Sequence, residues 1–515
     1  MTNMMNSYDE IPYPSLVYTD THPDRLAMLA TLFGLKPPPV ATSRVLELGC
    51  GDGTNLIAIA QSLPQAECWG IDFSAKQIAT GQNVIDAIQL PNITLKTLSF
   101  NQVDESLGQF DYIIAHGVYS WVPKDMQETV LTLIQSHLAA DGIAYISYNI
   151  FPGWHQENVV RDMMRYHTQQ LPDIPFQIRM MQAKGILQFL ANIRQSGNTA
   201  FDGLIQEKWQ QLKAVPDNYL YHDFLEADNH PIYFYQFVQL MSQHRLAYVT
   251  DIEFRHYLML SFPPEVVEAM EELFLDDWVK KEQYLDFFYN RTLRRTLLCH
   301  QQMSVSRELD WTNLVECYIA ASLSPEKVSI DWQAYEPVQF KKADEEMITI
   351  AHPLVKVAIR YLSSLYPQRI SFDALFNYAH QKMHKRQTDL SAWRETFAQE
   401  LLHLYCAEAI ELSKEPPSFV TTLNTVPIAS PFARWQASQG EAAVINLRCE
   451  LIQLSARAMA LLPHLNGNND SQALRAIFKK ILKNQNDEKI KSSHLSTVLE
   501  KTLLEIAQAA LLQIL

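Results

Sequence analysis

The segment that most restricts this chain is Val45-Leu46-Glu47-Leu48-Gly49-Cys50-Gly51-Asp52-Gly53. An apolar run, the pattern of a buried strand, enters a Gly-x-Gly-x-Gly turn and continues into the helical spacing of Thr54–Leu63. Glycine turns the backbone sharply and lets a ligand approach where a Cβ would obstruct it. A strand, a glycine loop and a helix in that order predict a ligand loop at the carboxyl edge of a parallel sheet.

The surrounding residues extend that pattern. Apolar runs at Arg44–Gly49, Glu67–Asp72, Ile93–Leu98, Phe110–Ala115 and Gly142–Asn149 alternate with helical spacing at Thr54–Leu63, Ala75–Ile88 and Met126–Leu138. Alternation of this kind predicts βαβ units and an α/β fold. Asp141-Gly142 reads as the end of a helix. Further on, Tyr233–His244 reads as a helix, and Ala247–Ile252 and Arg291–His300 as strands that complete the sheet after a helical insertion. The expected division is residues 1–170 for the ligand-binding domain, 171–300 for a mainly helical middle region, and 301–515 for a mostly helical C-terminal domain. Within the last, Glu336–Ile350 reads as a hairpin. With helices at Leu354–Leu365, Phe372–His380 and Trp393–Cys406 and a strand at Ala409–Leu412, it suggests a winged-helix-like module. The tail beyond Glu441 reads as helical, broken at Asn466–Asp470, and Asn484–Ser493 as a polar mobile stretch.

Composition narrows the function. The 515 residues are 47% apolar and carry a formal charge of −15, which disfavours a protein whose main task is gripping nucleic acid phosphates. The six cysteines are scattered without a C-x-x-C pair, so no metal cage is expected and a reducing compartment is. The opening residues lack a basic, apolar leader, and no run of about 18 apolar residues occurs, so a cytoplasmic protein without membrane insertion is expected.

The ligand follows from the acids around the loop. A dinucleotide site has G-x-G-x-x-G and places pyrophosphate on the helix start. Here Glu47 precedes the loop inside the strand, where it repels phosphate and suits an amino group. Asp72 ends the second strand about 20 residues later, placed for ribose hydroxyls. Together they favour a nucleoside carrying positive charge.

On these residues the chain resembles the class I S-adenosylmethionine-dependent methyltransferases, with LELGCGDG similar to their first motif and GIDFS to their second. The resemblance implies a Rossmann-like domain with S-adenosyl-L-methionine as cofactor. Gly49 and Gly51 would hold the methionine moiety, Asp72 the ribose, and Phe73 the adenine. Phe100 and Asn101 would sit beside the adenine amino group, with Asn101 standing where the family commonly has Asp. Ala115 and His116 would form the floor. His116 reads either as a general base or as a polar floor residue. Tyr18 and His22 read either as a cap over the cofactor carboxylate or as contacts at a helix start.

A second resemblance runs over most of the chain. It is carried by Tyr18-x-x-x-His22-Pro23, His116–Pro123, Ser147-Tyr148-Asn149-x-x-Pro152-Gly153-Trp154-His155, Tyr219–Glu226 and Asn290-Arg291-x-x-x-Arg295. These strings are similar to bacterial methyltransferases with a methyltransferase regulatory domain, including the rickettsial outer-membrane-protein lysine methyltransferases. That group implies a C-terminal winged-helix-like domain and a protein substrate. Close members often have Glu where this chain has Asp223.

Methyl transfer to an amine needs a neutral nucleophile in line with the sulfonium, and an aromatic wall attracts both cations. Tyr119, Trp121, Tyr148 and Trp154 follow the fourth and fifth strands and are the candidate acceptor wall, with Asn149 as a hydrogen-bond partner of the amine. Core packing is the competing role for each. His222 and Glu226 read either as site residues folded over the cavity or as a surface i,i+4 pair. The leading expectation is protein lysine methylation. A small-molecule or saccharide methyltransferase and a non-catalytic S-adenosylmethionine-binding regulator are the alternatives. Nucleic acid is disfavoured as an acceptor because no Pro-Pro-aromatic string follows the fourth strand, and the oligomeric state is left open.

Overall fold

A computed structural model describes residues 7–171, 174–194, 199–254, 259, 262–274, 277–327, 329–383, 390–485 and 494–514. The sequence also reads as loops near residues 172–175 and 196–202; parts of both, and nearly all of the polar stretch at 484–493, lie outside the described residues.

Seven strands form the central sheet: β1 (Arg44–Leu48), β2 (Glu67–Asp72), β3 (Ile93–Thr97), β4 (Phe110–Ala115), β5 (Leu138–Asn149), β6 (Leu246–Asp251) and β7 (Leu293–His300). Their order is β3-β2-β1-β4-β5-β7-β6. β1 to β5 pair in parallel, and β7 runs antiparallel to both β5 and β6. The chain steps outward from β1 to β3 and then returns to β4. β1 and β4 therefore flank the point where strand order reverses, and open sheets collect ligands there. The near-continuous burial of β1 and β4 explains why they read as unbroken apolar runs.

One connection differs from its sequence reading. The helix Lys124–His137 ends at His137 and β5 begins at once, so Asp141-Gly142 lies inside a strand. The β4–β5 register shifts there, between Phe110 and Tyr112. A Cβ on Gly142 would lie 2.9 Å from the Asp111 carbonyl oxygen, so the glycine serves a bulge, not a helix end.

Two insertions interrupt the sheet. Between β5 and β6, helices Gly153–Gln169, Phe176–Ile193, Ala200–Leu212 and Asp217–Phe224 enclose a core including Val160, Met180, Leu187, Ile205 and Leu220. The helix Phe234–Gln243 then lays Phe234, Phe237 and Met241 against the sheet. Between β6 and β7, the helix Trp278–Tyr289 is tied to the sheet edge by the fully buried Arg294. Its Nε donates to both Asp286 oxygens at 3.1 Å and its Nη2 donates to Glu282 at 2.8 Å. Asp251 completes the cluster. Leaving such a buried charge unpaired costs about 3–5 kcal/mol, so loss of any one partner would destabilise this edge of the sheet.

In the C-terminal part, strand Tyr318–Ala320 pairs with Ile370–Ser371 and Glu411–Ser413, and Val338–Lys341 pairs with Met347–Ile350 as the predicted hairpin. Helices Pro353–Leu365, Phe372–Lys382 and Leu390–Cys406 pack around them. The tail is not helical throughout, because a short antiparallel pair, Val444–Ile445 with Leu451–Ile452, precedes its later helices. Asp470 caps the helix Ser471–Asn484, which accounts for the break read at Asn466–Asp470. No helix among the described residues is long and apolar enough to cross a membrane.

Candidate active site

A cavity of about 540 Å³ opens at the carboxyl ends of β1, β2 and β4. Its floor is built by the glycine loop. Gly49 has φ +69°, and a Cβ there would lie 2.6 Å from Val118 Cγ2, so only glycine lets the β1 and β4 loops meet. Gly51 N–H donates to Asp72 Oδ2 at 3.0 Å, and Ser74 N–H donates to Asp72 Oδ1 at 2.8 Å. These bonds hold the Asp72 carboxylate toward the cavity. Burial raises its pKa despite the backbone donors.

Glu47 is buried beneath the loop. Its Oε1 accepts from Asn55 Nδ2 at 2.8 Å, while its Oε2 has no hydrogen-bond partner. Burial pushes the carboxyl up to about 8, against the pull of the Asn55 hydrogen bond. Asn55 Oδ1 in turn accepts from Tyr18 N–H at 2.9 Å. A buried carboxyl with an unpaired oxygen on a cavity wall gives up its proton to an arriving cation and offers nothing to a phosphate.

His116 lies on the floor with its ring 3.8 Å from that of Tyr18. Its Nδ1 shares a 2.8 Å hydrogen bond with the Tyr145 hydroxyl, and burial, reinforced by the Arg295 charge, lowers its pKa to about 4. It is therefore neutral near pH 7. Gly117 N–H donates to Ser147 Oγ at 2.8 Å.

The roof comes from distant chain. Residues Ser7–Tyr18 and the helix Asp217–Phe224 close over the glycine loop. The Tyr8 ring stacks on His222 at 4.4 Å, and Ser15 Oγ donates to Asp52. His222 Nε2 meets the Ile11 carbonyl oxygen at 2.7 Å and its Nδ1 meets Glu226 at 3.1 Å. Of the two readings for this pair, the structure favours the cavity wall. Burial raises Glu226, but hydrogen bonds from His222 and Ser7 outweigh it and hold the carboxyl below its usual range.

Of the residues singled out in the sequence, Tyr18, Glu47, Gly49, Gly51, Asp72, Phe73, Phe100, His116 and Trp121 all line this cavity. Others do not. Asn101 is exposed and donates to Met126 Sδ, so Leu98, Ser99 and Phe100 make that wall instead. Ala115 is buried in the core as the last residue of β4. Tyr119 and Tyr148 are also core residues, each packed on Phe237. The cause is local geometry. Tyr119–Trp121 is one turn of 3₁₀ helix, which sends Tyr119 and Trp121 in different directions. Along β5, alternation turns Tyr148 to the face opposite Tyr145 and Ser147, which support the floor. Trp154 stands edge-on to Trp121 at 6.0 Å behind the wall, and Asn149 Nδ2 donates to Asn229. His22 caps the helix Pro23–Leu32 by accepting from Asp24 N–H, the helix-start role.

Sequence reasoning gave no site role to Tyr8, Tyr13, Ser15, Tyr145, Ser147 or Asp223. The period of two along β5 was the available signal for Tyr145 and Ser147. Among the described residues no group of three or more His, Cys, Asp or Glu could hold a metal ion.

A glycine loop at the sheet's reversal point, Asp72 at the end of β2 and a buried Glu47 carboxyl with one unpaired oxygen fit one class: an S-adenosylmethionine-dependent methyltransferase. Comparison with known proteins agrees. Residues 46–144 match a methyltransferase domain, 216–300 a predicted methyltransferase regulatory domain, and 426–511 the PKMT C-terminal winged helix domain. The chain is 32% identical over 475 residues to the uncharacterized Rickettsia prowazekii protein RP789, covering 91% of this chain and 85% of that one. It is 38% identical over 233 residues to RP028 of the same organism, covering 45% of this chain and 92% of the relative. The solved structure of PKMT2 from Rickettsia typhi in complex with AdoHcy superposes with a TM-score of 0.84 at 27% identity, covering 97% of this chain and all of that one. The chain belongs to this family of methyltransferases with a regulatory and a winged-helix domain. The winged-helix match falls on 426–511, later than the 336–412 stretch where the sequence pattern suggested such a module.

Proposed function

We propose that this methyltransferase modifies lysine side chains of a protein. The observation that carries the reading is the likeness to PKMT2, a name we take as protein lysine methyltransferase, over 97% of this chain. It extends through the regulatory and winged-helix regions, which a small acceptor held by the sheet domain would not require. The aromatic and acidic roof supports the same reading, since tyrosines and carboxylates suit an incoming ammonium.

S-adenosylmethionine supplies, when bound, a methyl group activated on a sulfonium. In our reading Glu47 pairs with its amino group, Asp72 accepts from both ribose hydroxyls, and Phe73 and Phe100 flank the adenine. Gly49 and Gly51 give the backbone clearance that this placement needs. Tyr18 and the neutral His116 form the floor and exclude water; the low pKa of His116 favours orientation over proton uptake. Trp121 stands at the acceptor mouth, with Trp154 fixing its ring. Residues 1–170 act as the cofactor unit, 171–300 complete the sheet and close the roof, and 301–515 position the substrate protein.

The test is incubation with methyl-labelled S-adenosylmethionine and a bacterial envelope-protein extract, in parallel with a small-metabolite pool. The reading predicts label in methylated lysine after hydrolysis of the protein fraction. Label confined to small metabolites contradicts it.

A further inference from the structure

Asp223 belongs to no cofactor motif, yet it lines the cofactor cavity from the roof helix Asp217–Phe224. Tyr219, one helical turn earlier, brings its hydroxyl near enough to the Asp223 carboxylate to favour the ionised form. The Tyr219 ring also packs on that of Tyr13, with centroids 5.6 Å apart, and Tyr13 in turn neighbours Tyr18. Tyr18 lies against His116 on the floor. A string of phenols thus runs from one carboxylate on the roof to the place where the methyl group would be presented.

The charged and titratable surroundings of Asp223 come from every side. Its own helix contributes Tyr219 and His222, and the chain beyond contributes Glu226 and Asp228. The helix Gly153–Gln169 brings Glu157 and Arg161, and the N-terminal segment brings Tyr8, Tyr13 and Tyr18. Asp72 faces the same cavity from β2. Lys208 pairs with Glu157, and Arg161 donates to the Glu226 carbonyl oxygen. Among the described residues Asp223 forms no ion pair, which leaves its carboxylate available to a cation arriving from outside.

Resting on the lysine reading, we infer that Asp223 is the catalytic residue that receives the acceptor ammonium and takes its proton, with Tyr219 positioning the carboxylate. One N–H bond of the ammonium breaks, its electron pair stays on nitrogen, and the proton forms an O–H bond on Asp223. The freed pair then makes the N–C bond to the methyl group as the C–S bond breaks and its electrons neutralise the sulfonium. The proton passes from Asp223 to solvent before the next turnover. Burial pushes the Asp223 carboxyl up to about 7, offset in part by His222 and the Tyr219 hydroxyl, so the group can take and release a proton near neutrality.

The test uses the full chain, labelled S-adenosylmethionine and the envelope-protein extract, following lysine labelling across pH 5.5 to 9. S-adenosylhomocysteine affinity is measured by calorimetry alongside. Asp223→Asn is expected to slow lysine labelling by about a hundredfold or more while S-adenosylhomocysteine affinity stays within about twofold. Asp223→Glu should restore part of the rate. Tyr219→Phe removes a hydroxyl that favours the ionised carboxylate, so the loss of rate at low pH should begin at higher pH than in the wild type. Wild-type labelling and an unchanged pH profile in Asp223→Asn would overturn the assignment, as would an equal collapse of S-adenosylhomocysteine binding. If the wild type labels metabolites but no lysine, the lysine reading itself fails, an outcome distinct from these.

Discussion

The two walls of the cavity at the carboxyl ends of β1, β2 and β4 are built in opposite ways. The floor is contiguous: Glu47, Gly49 and Gly51 lie within five residues, and Asp72 follows one βα unit later. The roof joins Tyr8 and Tyr13 to His222 and Asp223 across some 200 residues of chain. Contiguous walls must satisfy their own backbone, so they carry glycines and capped turns that a sequence displays. A wall assembled from distant segments carries no local requirement, only side chains of suitable shape and charge.

If floor and roof divide cofactor from acceptor, substitutions should separate two readouts. The largest effect is expected on the floor. Asp72→Ala removes a carboxylate acceptor for two hydroxyls and should weaken S-adenosylhomocysteine binding by about a hundredfold or more, read by calorimetry. Trp121→Ala, at the mouth, should lower turnover by about tenfold and change S-adenosylhomocysteine affinity by less than about twofold. Unchanged turnover would remove Trp121 from the acceptor wall.

A pH series sharpens the floor further. The Glu47 carboxyl is raised to about 8, so between the ordinary carboxylate range and that value the folded protein holds a proton that the unfolded chain has lost. Stability without ligand should therefore fall as pH rises through this window. A ligand ammonium must displace the same proton, so S-adenosylhomocysteine affinity should rise from pH 6 to 8, by up to about tenfold per unit. Glu47→Gln should flatten both curves in thermal melts and titrations. The smallest effect belongs behind the walls. Tyr148→Phe loses the 3.2 Å hydrogen bond with Thr296 and should cost about 1 kcal/mol of stability, with cofactor affinity and lysine labelling unchanged.

Much of the fold was legible because burial on both faces writes parallel strands as apolar runs. The ranges of β2 and β4 coincide with their patterns, and the late pair β6 and β7 was visible as strand-like segments after a helical one. Within the site, legibility stopped at orientation. Tyr145 and Tyr148 are equally aromatic and three residues apart, and only the phase of β5 decides which supports His116. Tyr119 and Trp121 are separated by one turn of 3₁₀ helix in the same way. Asp223 lay inside a conspicuous string, Tyr219–Glu226, but Tyr13, which packs on Tyr219 of that string, is named only by the folded chain.

The division between the walls is tested most directly by titrating S-adenosylhomocysteine calorimetrically into the wild type, Asp72→Ala and Asp223→Asn. Binding shared by the wild type and Asp223→Asn and lost in Asp72→Ala is the predicted result. Binding that survives in Asp72→Ala, or disappears in Asp223→Asn while that variant keeps its wild-type melting temperature, would contradict it.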